Sequence, residues 1–195
     1  MSFVGWKGNR MSNVKLADFN LAFSDTETTG LSETEHELIE IATIIYNPHN
    51  NQVTDEWDTK IAPTHIETAQ PKALQINGYI NNPGLYTNNL NSALIHFNSM
   101  VKGCMLIGQG IEFDLRFLYK NMADLNIKPS FDRHRKIDLM SMAWFAVKDS
   151  DIPGMSLADL CDYFKVSNVG AHSAFVDCRR TLEVYRALMG VYGGK

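Results

Sequence analysis

The sequence contains no apolar run that approaches the ~20 residues needed to cross a bilayer. Its first 15 residues include Trp6, Lys7 and Arg10, and they lack the apolar segment of a secretory signal peptide. Internal repeats and low-complexity segments are also absent from the 195 residues. These absences predict a soluble, cytoplasmic protein with no membrane partner.

Cysteine is scarce in this sequence. The three cysteines, Cys104, Cys161 and Cys178, are odd in number, and their spacings match no zinc-binding pattern. Each lies in an apolar or helical context, which favours small buried side chains in a reducing compartment. The cysteines therefore predict neither a disulfide framework nor a zinc site.

The sequence has no excess of positive charge, because 22 Asp and Glu outnumber 18 Lys and Arg and give a net charge of −4. Proteins that grip nucleic acid through its phosphates alone are usually basic, so nonspecific duplex binding is not supported. Binding through metals, backbone amides and base stacking stays open. With 45% hydrophobic residues, the length suits one compact domain. We assign residues 1–16 to a flexible extension and residues 17–195 to that domain.

Strand-like runs of β-branched residues alternate with helical patterns, and the order they predict is β-β-β-α-β-α-β-α-α. The first three strands follow one another directly, whereas helices separate the later ones. This order predicts an α/β domain with a ribonuclease H-like fold, a mixed five-stranded β-sheet flanked by α-helices. The predicted strands cover 19–26, 38–46, 53–61, 105–108 and the start of 137–147, and the predicted helices cover 68–75, 90–101, 113–122, the rest of 137–147, 157–164 and 175–189.

The first predicted strand ends in two acids, Asp25 and Glu27, and the turn Thr28-Thr29-Gly30 follows them. Because side chains alternate between the faces of a strand, the two carboxylates point the same way. Like charges held side by side are costly to bury unless a cation neutralises them, and hard divalent cations prefer oxygen ligands. The pair indicates either a metal site or an ordinary strand end with polar residues entering a turn.

Two further segments carry acids that can join this pair. Asp114 follows the fourth predicted strand at the start of a helix, where the helix dipole favours a carboxylate. Parallel strands end at one edge of a sheet, so adjacent first and fourth strands would bring Asp114 to Asp25. Asp177 lies near the start of the last helix, five residues after His172. Taken alone, Asp114 is an ordinary first-turn acid and His172 an ordinary loop histidine.

These acids belong to three motifs that span most of the chain. The motifs read Asp25-x-Glu27-Thr28-Thr29-Gly30, then Gly108-x-x-x-x-Phe113-Asp114, then His172-x-x-x-x-Asp177. In sequence and order they resemble the motifs of the DnaQ-like, DEDDh 3′–5′ exonucleases, a family that includes the proofreading epsilon subunit of bacterial DNA polymerase III, RNase T and oligoribonuclease. Secondary matches to the family occur at Ile76-Asn77-Gly78, Lys136-Ile137-Asp138-Leu139 and Ser156-Leu157-x-x-Leu160.

The chain departs from the family pattern at two supporting positions. Gln109-Gly110 stands where the family usually has His-Asn, and Gly cannot supply the hydrogen bond of that Asn side chain. Ser173 follows His172 where family members often carry Arg, which removes a phosphate-side cation. No metal ligand and no proposed base is lost.

The resemblance implies a site of four metal-binding carboxylates and one general base. Asp25, Glu27 and Asp177 would hold one divalent cation, with Asp25 bridging to a second cation that Asp114 supports. Two such ions, Mg²⁺ or Mn²⁺, would clamp the attacking and leaving oxygens of a phosphodiester. Histidine titrates near neutral pH, so His172 would take the proton of the attacking water. The expected product is a nucleoside 5′-monophosphate.

The residues expected to hold the terminal nucleotide surround this site. Amides of the Thr28-Thr29-Gly30 turn would contact sugar or phosphate, and Ile76 or Phe113 would pack on a base, with core packing an equal alternative for Phe113. Since stacking tolerates any base, the expected partners are single-stranded 3′ ends without sequence preference. The predicted substrate-binding residues are Thr28, Thr29, Ile76, Asn77 and Phe113, the predicted phosphate contacts are Arg179 and Arg180, and the basic segment 132–136 is predicted to be a solvated loop.

Three functions stay open from the sequence. The first is a 3′–5′ exonuclease that acts on DNA, and the second applies the same chemistry to RNA ends or short oligoribonucleotides. No motif distinguishes these two, because none reads the 2′-hydroxyl. The third is a catalytically weak nucleic-acid or polymerase-binding module, which Gly110 keeps possible. A polymerase or other replication or repair partner would be a separate chain, and a homodimer is possible.

Overall fold

The computed structural model describes residues 18–170 and 172–193, with side chains described as far as residue 190. The predicted flexible extension, 1–16, lies outside the described residues. Within the described part of the chain, no helix has the length and apolar character needed to cross a membrane. The strands are β1 (Leu21–Thr28), β2 (Leu38–Asn47), β3 (Gln52–Lys60), β4 (Met105–Gly108) and β5 (Lys136–Asp138), and the helices are α1 (Pro71–Ile76), α2 (Leu90–Met100), α3 (Glu112–Asp124), α4 (Leu139–Val147), α5 (Leu157–Phe164) and α6 (Ala174–Gly193).

The five strands form one mixed sheet in the order β3-β2-β1-β4-β5. β1 pairs antiparallel with β2, and β2 pairs antiparallel with β3, as expected of strands joined by short turns. β1 pairs parallel with β4, and β4 pairs parallel with β5, because helical crossovers connect them. The predicted ribonuclease H-like sheet flanked by helices is confirmed. The first and fourth strands are adjacent and parallel, which is the condition for bringing Asp114 to Asp25.

Apolar side chains cover both faces of the sheet because successive strand residues point to opposite sides. Ala22 and Leu106 pack on one side with α2 and α3, whereas Phe23 and Ile107 pack on the other with α4, α5 and α6. β2 is buried along almost its whole length, which explains its nearly continuous apolar sequence. This arrangement seats the starts of α3 and α6 close to the end of β1.

Local sequence signals set several helix boundaries. Ser156 accepts a hydrogen bond from the Asp159 backbone and forms a capping box with it, which confirms the predicted start of α5. The predicted helix 68–75 begins later, at Pro71. Proline suits the first turn of a helix and disfavours helical backbone in the residue before it, so Gln70 is extended.

Candidate active site

Asp25 and Glu27 lie at the carboxyl end of β1 on the face that packs against α6. Phe23 is buried beside α6, and strand alternation places the residues two and four positions later on the same side. Asp177, in the first turn of α6, lies opposite them. Ligand oxygens of Asp25, Glu27 and Asp177 all lie within 4.8 Å of one another. The chain thus brings together three of the four predicted metal ligands, and we call them the acidic trio.

Asp114 stands beside the acidic trio. It lies in the first turn of α3, it is only 3% exposed, and its Oδ1 accepts a 2.6 Å hydrogen bond from the hydroxyl of Thr26. Thr26 separates the two acids of β1, so this bond ties α3 to the middle of the motif. The end of β4 approaches β1 closely here, since a Cβ atom on Gly108 would lie 2.9 Å from the carbonyl oxygen of Ser24. A side chain at position 108 would force apart the strands that carry Asp25 and Asp114.

Asp177 is held through both of its carboxylate oxygens. The backbone N–H of His172 donates to Oδ2 at 3.1 Å, and Arg180 donates to Oδ1 at 2.5 Å. The backbone of His172 is left-handed, with φ of 69°, and its side chain is exposed. The loop that carries the predicted base is therefore joined directly to a predicted metal ligand.

Low solvent access and neighbouring negative charges raise the pKa values of three carboxylates at the site. Burial raises the pKa of Asp25 well above its usual range, and the charges of Asp114 and Glu27 raise it further. Burial, followed by the charge of Glu40, raises the pKa of Glu27 to about 8. Burial also raises the pKa of Asp114 to about 7, although hydrogen bonds from Thr26 oppose that shift. Each of these carboxylates therefore needs either a proton or a cation at neutral pH.

The donor set fits a divalent cation. Carboxylate oxygens are the ligands that Mg²⁺ and Mn²⁺ prefer, and the acidic trio offers three of them within the span of one ion. Asp114 is not part of this trio, but it lies near enough for its charge to raise the pKa of Asp25. A bound cation would also relieve the repulsion that raises these pKa values.

Glu40 is a buried acid near the site that the sequence prediction missed. It lies in β2 directly opposite Glu27, it is 0% exposed, and it contacts Lys60, Ser173 and the backbone of Ala174. The available signal was one acid inside the apolar run of β2, because a charge in such a run must find buried partners.

Arg180 does not have the position predicted for a phosphate contact. Its side chain is buried, and its guanidinium donates to Asp177 and to Asn168 in the loop before α6. Arg179 is more exposed and pairs with Glu56 of β3 at 3.0 Å. Helical spacing explains the difference, because position 180 lies one turn after Asp177 on the same face. Arg180 therefore fixes Asp177, a predicted metal ligand, and the loop that carries His172.

We predict that Arg180→Met lowers the free energy of unfolding of the metal-free protein by about 3 kcal/mol, because it removes the buried positive charge that pairs with the half-buried carboxylate of Asp177. Addition of Mn²⁺ should recover part of that loss by supplying a replacement positive charge. Urea unfolding with EDTA and with Mn²⁺ measures both effects. The matched control is Arg179→Met, which breaks an exposed pair and should cost less than about 1 kcal/mol. Equal losses for the two variants would contradict the assignment.

The side chains of Thr28, Thr29 and Asn77 make internal hydrogen bonds. The hydroxyl of Thr28 donates to the carbonyl of Gly30 at 2.7 Å, and the hydroxyl of Thr29 accepts from the N–H of Glu37 at 2.8 Å. Asn77 is buried and donates to the carbonyl of Thr28 at 3.1 Å. These side chains shape the turn after β1, and nucleotide contact by the turn stays a prediction.

Ile76 and Phe113 are less buried than these residues. Ile76 is 45% exposed at the end of α1. Phe113 is half-buried, with its ring 5.1 Å from that of Phe117, so it serves partly as core. Their predicted contact with a base remains a prediction, and Ile76 has the more accessible side chain.

The Gln109-Gly110 departure has a local explanation. Gly110 has a left-handed φ of 66°, a conformation that Gly and Asn adopt more readily than other residues. A Cβ atom at this position would have no atom within 4 Å, so a side chain has room here. Glycine is favoured by the left-handed backbone and not by a lack of space. Gln109 donates to the carbonyl of Met155 at 2.6 Å and ties the loop after β4 to the segment before α5. The turn is thus fixed without the Asn side chain.

Three known proteins are similar to this chain in sequence or in structure. DNA polymerase III subunit epsilon of Treponema pallidum (strain Nichols) is 24% identical over 170 residues, which cover 85% of this chain and 74% of that protein. An E. coli ExoI–ssDNA complex superposes with a TM-score of 0.78 at 18% identity, covering 90% of this chain and 41% of that one. The cell-death related nuclease CRN-4 gives a TM-score of 0.75 at 16% identity, covering 92% of this chain and 67% of that one.

The two structural likenesses establish the fold, and the chain spans about two fifths of the length of E. coli ExoI. The family model RNase_T, described as an exonuclease, matches residues 22–185. That match contains all three motifs and every strand except the first residue of β1. The chain therefore belongs to the RNase_T exonuclease family, and the predicted kinship with the DnaQ-like 3′–5′ exonucleases is confirmed.

Proposed function

We propose that this exonuclease domain uses divalent metal ions to hydrolyse phosphodiester bonds at single-stranded 3′ ends, with DNA as the favoured substrate, and releases nucleoside 5′-monophosphates. The observation that carries the proposal is the acidic trio, whose ligand oxygens lie within 4.8 Å of one another. Holding three half-buried acids this close together has no structural benefit without a cation, since their charges repel. Metal binding would explain why the three carboxylates lie so close together.

In the proposed mechanism, Asp25, Glu27 and Asp177 would hold one divalent ion, and Asp114 would support a second one beside Asp25. When bound, such a pair of ions stabilises the charge that develops on the attacking and leaving oxygens of the phosphodiester. The protein supplies orientation, because Thr26 fixes Asp114 and Arg180 fixes Asp177.

His172 acts as the general base in this proposal. Its backbone is tied to Asp177, and its exposed imidazole is free to turn toward a bound substrate. A ring nitrogen of the imidazole takes the proton of the attacking water and releases it to solvent afterwards. The exposure of the side chain suits this proton release.

DNA is favoured as the substrate by two of the similar proteins. The curated relative is a DNA polymerase III subunit, and the superposed ExoI structure is a complex with ssDNA. A single-stranded end fits the chain's own charge, because an acidic protein binds more readily through metals and stacking than through a basic surface. A replication or repair partner is proposed on the same grounds.

The decisive experiment is digestion of end-labelled DNA and RNA oligonucleotides of matched sequence and several lengths, with Mg²⁺, Mn²⁺ or EDTA. We expect mononucleotides from single-stranded DNA with either metal and none with EDTA. Faster release from RNA, above all from the shortest chains, would replace the DNA assignment with the exoribonuclease function. Binding without metal-dependent release would leave only a nucleic-acid or polymerase-binding module.

Replacement of the base gives a sharper prediction. His172→Ala should lower kcat by about 10²–10⁴-fold, because it removes proton transfer from the reaction, and should leave Mn²⁺ affinity within about 3-fold of wild type. Single-turnover digestion and calorimetric titration with Mn²⁺ measure the two quantities. His134→Ala, at an exposed histidine, is the matched control and should retain full activity. Wild-type turnover by His172→Ala would remove His172 from the mechanism.

A further inference from the structure

Glu40 is the most completely buried charged residue near the site, and the proposed mechanism does not use it. It lies in β2, 0% exposed, and it pairs in register with Glu27 on β1. A carboxylate is rarely buried to this extent unless its oxygens are satisfied by donors. Its contacts therefore indicate what it does.

The two oxygens of Glu40 serve two different parts of the fold. Oε1 accepts hydrogen bonds from the Ser173 hydroxyl and from the backbone N–H of Ala174, both at 3.1 Å. Oε2 accepts from the ammonium group of Lys60 on β3. One carboxylate thus joins β2, β3 and the first residue of α6.

The contact with Ala174 satisfies one of the N–H groups that a helix leaves unpaired at its start. A carboxylate at this position is also favoured by the helix dipole. Ser173 and Ala174 directly follow His172, whose own N–H is bound to Asp177. Because Glu40 holds Ser173 and Ala174 while Asp177 holds the N–H of His172, the backbone of His172 is fixed on its C-terminal side.

The anchoring also extends toward the turn after β1. Lys60 lies 5.0 Å from the ring centroid of Tyr86, and the Tyr86 hydroxyl donates to the Asn77 carbonyl at 3.4 Å. Asn77 in turn donates to Thr28. The start of α6 and the proposed nucleotide-binding turn are therefore connected through Glu40 and Lys60.

We infer that Glu40 is a positioning residue that fixes the start of α6 and thereby holds His172 where it can act as the base. This inference rests on the proposed function, because it assigns Glu40 an effect on catalysis through His172. A purely structural role would lower activity equally whether or not the imidazole is present. If Glu40 acts through His172, replacing Glu40 should no longer affect activity in a variant that lacks the imidazole.

The experiment is a double-mutant cycle with Glu40→Asp and His172→Ala, read out as kcat on a single-stranded oligonucleotide. Aspartate keeps the charge next to Lys60 but is too short to reach Ala174 in the same way. We expect Glu40→Asp to lower kcat about 10-fold in the wild-type background, with less than about 3-fold change in KM. In the His172→Ala background the same substitution should change kcat less than about 2-fold.

Two further variants separate the hydrogen bond from the charge. Glu40→Gln keeps an acceptor oxygen for Ser173 and Ala174, and it should retain kcat within about 3-fold of wild type. Glu56→Asp weakens the exposed contact between β3 and α6 through Arg179, and it should leave kcat unchanged. Exchange of the Ala174 amide proton, followed by NMR, should accelerate in Glu40→Asp and stay slow in Glu40→Gln.

Equal losses from Glu40→Asp in both backgrounds would overturn the inference, and so would a Glu40→Gln loss as large as that of Glu40→Asp. An unchanged Ala174 exchange rate in Glu40→Asp would overturn it too. These results would leave the proposed function standing, because wild-type release of mononucleotides would persist. Absence of metal-dependent release by the wild-type protein would overturn the proposed function and this inference with it.

Discussion

Replacement of Asp25 with asparagine is expected to lower turnover by at least about 10³-fold while stabilising the metal-free protein. Asp25 is the proposed bridge between the two ions, and loss of several kcal/mol of charge stabilisation corresponds to that factor. In the absence of metal, however, its charge is opposed by burial and by Asp114 and Glu27. Asparagine removes that charge at nearly constant shape, so the free energy of unfolding at pH 8 should rise by about 1–3 kcal/mol.

Single-turnover digestion and urea unfolding in EDTA test the two halves of this prediction. Asp151→Asn, at an exposed loop acid, is the matched control because it changes the net charge equally. It should change neither activity nor stability appreciably. A destabilised but inactive Asp25→Asn would show that the carboxylate has a structural role, and a fully active one would remove Asp25 from the metal site.

The second large effect is a reversal of the pH dependence of stability by divalent metal. The pKa values of Asp25, Glu27 and Asp114 are raised in the folded protein, to about 8 for Glu27 and about 7 for Asp114. Between the unfolded and folded pKa values, the folded state holds more protons, so stability falls as pH rises. Metal-free protein should therefore lose stability from pH ~5 to pH ~8, at ~1.4 kcal/mol per unit of pKa shift.

Saturating Mn²⁺ should make the slope positive over the same interval, because the ion binds the ionised carboxylates and competes with protons. The measurement is the midpoint of thermal unfolding at pH 5.5 and pH 8, in EDTA and in Mn²⁺. The double variant Asp25→Asn, Glu27→Gln is the control and should flatten both curves. Parallel curves with and without Mn²⁺ would contradict metal binding by the acidic trio.

The fold was predictable because each strand has a strong local signal. Alternation in β1 and the apolar run of β2 mark two neighbouring strands, and the turn between β2 and β3 joins a hairpin. Boundaries were less accurate where long-range pairing decides them. β1 begins and ends two residues later than predicted, since β2 pairs with it as far as Thr28.

The acids of the site were predictable for a similar reason. Asp25 and Glu27 follow from strand alternation, and Asp114 follows from the rule that parallel strands end at one edge. The contacts of Glu40 were not predictable, because Ala174 lies more than a hundred positions away in the sequence. Those of Arg180 were not predictable either, because they depend on which face of α6 is buried. Local patterns do not contain that information.

The pairing of β1 with α6 has a consequence for how the protein is made. The acidic trio takes Asp25 and Glu27 from the beginning of the fold and Asp177 from its last helix. During synthesis on the ribosome, the N-terminal strands emerge long before that helix has been translated. A nascent chain therefore cannot assemble the site early. Under the proposed function, the capacity to degrade nucleic acid would arise only when α6 docks against β1.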